Sequence, residues 1–199
     1  MYWGNPDASV SFCENKYKNS EYIAEYYNTL TALSYVMVGF FYLNTKLKDI
    51  GLNIIVLGIG TGVLHATLRY YGQMLDEIAM LSLSFNIISY LKAYKENKQI
   101  SKYFLLGIIC IYIKFYHHFY IFFLMFSSMQ LYIYKLYSNI SIIKYNTCLK
   151  NIYVSIFLIS SICWISDQVL CEYVKEYNLH ALWHVGTSIS IFIGLLPLV

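Results

Sequence analysis

The sequence predicts an all-α, polytopic membrane protein, with seven transmembrane helices around an intramembrane zinc site. Three observations predict it. The 199 residues are 58% hydrophobic and only 13% charged, about half the roughly 25% charge of a soluble domain. Apolar runs close to 20 residues long recur along the chain, the length a helix needs to cross about 30 Å of hydrocarbon. Histidines, a threonine and a carboxylate stand in or beside those runs, where polar groups are costly unless they face a cavity or a partner.

The same composition sets aside other classes. The net charge of +3, from 14 Lys+Arg against 11 Asp+Glu, is too small and too scattered for a nucleic-acid surface. The opening MYWGNPDASV has no charged start followed by an apolar core, so insertion through the first membrane helix is expected and not through a cleaved signal peptide. No repeat or low-complexity linker divides the chain. Residues 1–199 therefore read as a single seven-helix membrane domain.

Residues 1–25 are aromatic but too polar to span. They read as an interfacial cap, with Tyr and Trp at headgroup level. Seven apolar runs follow, at approximately 26–44, 51–70, 74–94, 102–116, 118–136, 151–171 and 180–199. The fourth is short, and His117-His118 leaves almost no loop after it. Loop lysines set the orientation. Lys46, Lys48, Lys92, Lys95, Lys98, Lys102, Lys135, Lys144 and Lys150 fall on one side, against Lys16, Lys18, Arg69, Lys114 and Lys175 on the other. The lysine-rich side should be cytosolic, which makes the N-terminus lumenal and the C-terminus cytosolic.

This topology brings the polar groups of three segments to one depth beneath the cap. His65 lies late in the second helix, Asp76 begins the third, and His180 and His184 begin the seventh. Histidines at i, i+4 share a helical face and can both reach one metal ion. HALWH lacks the glutamate of the soluble HExxH motif, so Asp76 is the available base. His65 completes three protein ligands and leaves the fourth position of a catalytic zinc for water, which such a metal ionises near neutral pH. Thr61, one turn before His65, could donate to a developing oxyanion or back-bond to its own helix. Gly58, Gly60 and Gly62 lack the strand–turn–helix setting of a nucleotide fingerprint and are read as close helix packing. His117 and His118 are read as interfacial.

Several stretches together resemble the alkaline ceramidases, seven-helix membrane amide hydrolases related to the adiponectin and progestin receptors. They are YWG at 2–4, FCENKY at 12–17, YIAEYYNT at 22–29, GIGTGVLHATLRY at 58–70, QMLDE at 73–77, WISDQVLCE at 164–172 and HALWH at 180–184. The resemblance implies a ceramide substrate and a location in the endoplasmic reticulum or Golgi membrane. It puts His65, His180 and His184 on the zinc ligands, Asp76 on the acid that handles the water proton, and Thr61 where the family usually has Ser. The chain is shorter than typical members. Alternatives within the wider superfamily are a zinc-containing receptor and a GPI-lipid-remodelling esterase; the YWG and FCEN pieces favour the ceramidase branch.

Two further expectations follow. The resemblance suggests a Cys13–Cys171 bridge, and the topology leaves the same two cysteines on the lumenal side, where disulfides persist. It also implies a calcium ion in the cap, held through Ser11, Phe12, Glu14 and Glu25. Here Ser11 stands for an Asp and Lys16 for an Asn, and an ammonium has no acceptor. A one-residue slip could let Asn15 serve instead. A weakened calcium site is expected, with Lys16 reaching between Glu14 and Glu25 and supplying the positive charge internally.

Overall fold

A computed structural model describes residues 2–199, apart from the side chains of 144 and 145. Met1, the first residue of the cap expected over 1–25, and the side chain of Lys144, one of the orienting lysines, lie outside the described residues. All regular structure among the described residues is helical. The run expected over 26–44 forms α1 (Tyr26–Thr31) and α2 (Leu33–Tyr42), separated at Ala32. Thr29 and Thr31 each donate their hydroxyl to the carbonyl four residues back, at 2.6 and 2.8 Å. Such back-bonding competes with the helix ladder and bends it. Next come α3 (Lys48–Thr67), α4 (Tyr70–Glu96), α5 (Tyr103–Phe115) and α6 (Phe119–Tyr137). A short α7 (Ser141–Tyr145) stands where no helix was expected. It is followed by α8 (Thr147–Val169), α9 (Cys171–Val174) and α10 (Leu179–Leu195). Among the described residues, five helices are long and apolar enough to cross a membrane: α3, α4, α6, α8, and α10 with its continuation to Leu198.

The α3–α4 hairpin turns within two residues, Leu68 and Arg69. Leu68 adopts a left-handed conformation, φ 53°, and its N–H closes on the Leu64 carbonyl at 2.7 Å. This conformation costs a non-glycine residue roughly 1–2 kcal/mol. Its surroundings hold it there. The Leu68 side chain is buried, and its carbonyl accepts from the N–H groups of Asp7 and Ala8, both at 3.1 Å. Asp7 in turn accepts from the Tyr70 N–H at 2.6 Å, capping the first turn of α4 from a remote part of the chain.

The two helices then run in backbone contact. A Cβ on Gly60 would sit 2.9 Å from the Asp76 nitrogen, and one on Gly72 would sit 2.8 Å from the Leu64 Cα. Gly58 is pressed in the same way against α2, whereas Gly62 has ordinary room. Small residues of this kind let membrane helices approach closely, and here the approach sets the distance between Thr61 and Asp76. Gly60→Ala is expected to lower stability by about 1–3 kcal/mol through overpacking and to cut activity with it. Gly107→Ala, where an added Cβ meets nothing within 4 Å, should be neutral or slightly stabilising. Melting temperatures in detergent check the pair, and equal values for the two variants would contradict the packing described.

The cap is drawn across the end of the bundle that holds the histidines. Arg69 pairs with Asp7 at 2.9 Å and donates to the carbonyls of Trp3 and Asn5. Cys13 is bridged to Cys171, with Cα atoms 5.3 Å apart, inside the normal disulfide range. The sixth run, expected over 151–171, ends as a helix at Val169, so Cys171 opens the separate turn α9. Cys13 N–H also donates to Asp167 at 3.1 Å. Val10 and Phe12 of the cap join Leu64, Leu81, Tyr112, Phe122, Trp164 and Trp183 in one apolar cluster.

Candidate metal centre

His65 sits in the last turn of α3, and His180 and His184 in the first two turns of α10. All three are buried. One nitrogen from each lies within 4.8 Å of the other two, and the ring centroids are 4.6 to 5.0 Å apart.

The neighbours fix the ring tautomers. His65 Nδ1 lies 2.5 Å from Glu25 Oε2, and His184 Nδ1 lies 3.2 Å from the Asn28 carbonyl and 3.0 Å from Thr31 Oγ1. A carbonyl only accepts, so His184 carries its proton on Nδ1 and keeps the Nε2 lone pair free. The Glu25 carboxylate does the same for His65. Carboxylate and carbonyl partners of this kind are the usual outer shell of metal-binding histidines. Among the described residues, His65 Nε2 and His180 Nδ1 are buried without a hydrogen-bond partner. Such orphans are rare and call for an explanation; a shared cation is one the donor set fits.

Thr61 and Asp76 are brought together beside the cluster, with Thr61 Oγ1 2.5 Å from Asp76 Oδ1 and 2.9 Å from the Leu57 carbonyl. The single hydroxyl proton thus has two competing acceptors, one of them the back-bond. Thr61, Asp76, His180 and His184 line one cavity of about 20 Å³, which Glu77, Phe12 and Trp183 also line. Phe12 stacks on His180 with centroids 3.7 Å apart and roofs the site. On the far side of Trp164 and Trp183 lies a larger apolar groove of about 470 Å³. It runs between α6 and α8, and its rim residues Leu131 and Leu158 are exposed on the outer face.

The cap residues are arranged differently from a cation cage. Glu14 accepts from the backbone N–H groups of Tyr27 and Asn28, at 2.7 and 2.9 Å. Lys16 pairs with Glu25 and donates to the Phe12 carbonyl at 2.5 Å. Ser11 is exposed and its carbonyl takes the Gln168 amide. Asn15 lines a surface pocket with Glu14 and Lys18. Burial alone would raise the Glu25 carboxyl; the His65 and Lys16 partners more than reverse this and hold it at about 2.

Sequence reasoning missed the outer shell. Glu25 and Thr31 are polar residues at the two ends of α1, whereas Asn28 meets His184 through its backbone carbonyl, which no side-chain pattern announces. Nothing announces Phe12 as the roof of His180.

Fold and site together fit an integral membrane protein of apolar helices with a buried three-histidine cluster able to hold a metal ion. The chain belongs to the Ceramidase family, whose model matches residues 4–198. It is similar to the alkaline ceramidase of Arabidopsis thaliana, 28% identical over 95% of this chain and 82% of that protein. It is also similar to alkaline ceramidase 3 of Mus musculus, 22% identical over 98% of this chain and 84% of that protein. The match to alkaline ceramidase YPC1 of Saccharomyces cerevisiae is 32% identical but shorter, covering 40% of this chain and 28% of that protein.

Proposed function

We propose that the chain is a zinc-dependent amide hydrolase that cleaves ceramide into a sphingoid base and a fatty acid. The observation that carries the reading is the buried His65/His180/His184 cluster, with its free ring nitrogens, beside Asp76. Membership of the Ceramidase family and relatives named as alkaline ceramidases support the substrate class. The frame proposed is a single seven-helix membrane domain over 1–199. In it α1 and α2 together make the first span and the short α5 the fourth. The N-terminus is lumenal and the C-terminus cytosolic, in the endoplasmic reticulum or Golgi membrane.

His65, His180 and His184 would hold the zinc. When bound, zinc supplies Lewis-acid polarisation of the amide carbonyl and lowers the pKa of water. Asp76 accepts a proton from the attacking water. It returns that proton to the amide nitrogen as the C–N bond breaks, so the water oxygen leaves with the fatty acid and the amine leaves with the base. Thr61, once its hydroxyl is released from Asp76, donates to the oxyanion. Glu25 and the Asn28 carbonyl hold the His65 and His184 rings in place. The roof of Phe12 and the wall of Trp164 and Trp183 limit bulk water. The groove between α6 and α8 is apolar and open on its outer face, which suits a chain arriving from lipid.

Purified protein is expected to release fatty acid from ceramide micelles in a zinc-dependent way. Release from a glycerolipid alone would point to an esterase, and release from neither to a receptor; each outcome overturns the ceramidase reading.

A further inference from the structure

We propose that Lys16 is a built-in counter-cation, whose ammonium occupies the position at the base of the cap that a bound divalent ion would take. Through Glu25 it is a positioning residue for His65.

Lys16 Nζ donates to the Phe12 carbonyl at 2.5 Å and pairs with Glu25 Oε1. Glu25 is fully buried. Its other oxygen meets His65 Nδ1 at 2.5 Å and the Asn28 amide at 3.0 Å. A buried carboxylate whose partner is removed is left as an uncompensated charge. Lys16 is that partner, and it reaches in from the cap. Three parts are joined by it: the Phe12 backbone, whose ring roofs His180; the Glu25 carboxylate; and, through Glu25, the ring orientation of His65. The cap is thereby fastened to the histidine cluster by an ion pair as well as by the Cys13–Cys171 bridge.

The same residues do not fit calcium. Calcium takes about six to eight oxygens at roughly 2.3–2.6 Å. Here the oxygens of Phe12 and Glu25 face an ammonium that offers only donors, both Glu14 oxygens are spent on backbone N–H groups, and Ser11 is turned outward. A charge carried on the chain needs no supply from solution, so the order of the cap becomes independent of ambient calcium.

The inference rests on His65 being a metal ligand but not on ceramide being the substrate, so its readouts are melting temperature and zinc affinity of the full-length protein in detergent. Wild type should melt at the same temperature with millimolar calcium or with a calcium chelator. Lys16→Met should lose about tenfold or more in zinc affinity, the range for outer-shell changes, while Lys16→Arg keeps most of it. Lys16→Ala leaves a hole, and added methylammonium should recover part of its zinc affinity; Lys16→Met, with the hole filled, should show no recovery. Ser11→Asp with Lys16→Asn should gain a calcium-dependent rise in melting temperature. A calcium-dependent rise in wild type overturns the proposal, as does full zinc affinity in Lys16→Met. Should Lys16→Met fail to fold, the wild-type calcium comparison decides alone.

Discussion

Alanine at His180 or His184 is expected to strip the protein of zinc and to abolish ceramide hydrolysis, by about 10³-fold or more. A catalytic metal contributes several kcal/mol of transition-state stabilisation, and each 1.36 kcal/mol is a factor of ten in rate. The loss should be all-or-none in metal, because the three rings face one another at 4.6 to 5.0 Å and two ligands make a poor site. His65→Ala should behave alike and also leave Glu25 without its imidazole partner. It is therefore the variant expected to melt lowest. Metal analysis and fatty-acid release, measured on the same preparations, check all three. Full zinc in the triple variant would falsify the assignment of the site.

The sequence made the helical, membrane-embedded character legible because composition and run length report directly on the solvent. It also marked His65, Asp76, His180 and His184, since ionisable groups stand out against apolar runs. Periodicity could not reveal the ends of the helices. The second run reads on to Arg69-Tyr70, yet the chain turns at Leu68, a residue whose intrinsic preferences argue against a left-handed cap. The turn exists because Asp7 and Ala8, some sixty positions earlier, bond to its carbonyl, a long-range cause with no local trace. Likewise the Lys16 partner of Glu25 was expected from the resemblance, although Glu14 turns to the Tyr27 and Asn28 N–H groups and not to Lys16, but the His65 partner was not. Only the folded chain lays the His65 ring on its second oxygen. Gly60 was legible as a packing residue, while the backbone it packs against, at Asp76, was not.

Asp76→Asn is expected to retain zinc and lose turnover by about 10² to 10⁴-fold, the usual contribution of a positioned general base. The two effects should separate because the near partner of Asp76 is the Thr61 hydroxyl at 2.5 Å, whereas the rings of the cluster are held by Glu25, Asn28 and Thr31. Asparagine keeps the shape and can still accept from Thr61, so the local packing and the melting temperature should hold. What it loses is the capacity to take a proton from water. Glu77 supplies the internal comparison. It lines the same cavity, but its oxygens are held by the Gln73 amide at 3.2 and 3.3 Å, and Gln73 is itself anchored on the Ser9 backbone at 2.7 Å. A carboxylate fixed in that way is poorly placed to exchange protons with substrate, so Glu77→Gln should cost far less turnover than Asp76→Asn. The reverse order, or zinc lost from Asp76→Asn, would move the proton-transfer role from Asp76 to its neighbour or make Asp76 a member of the metal shell.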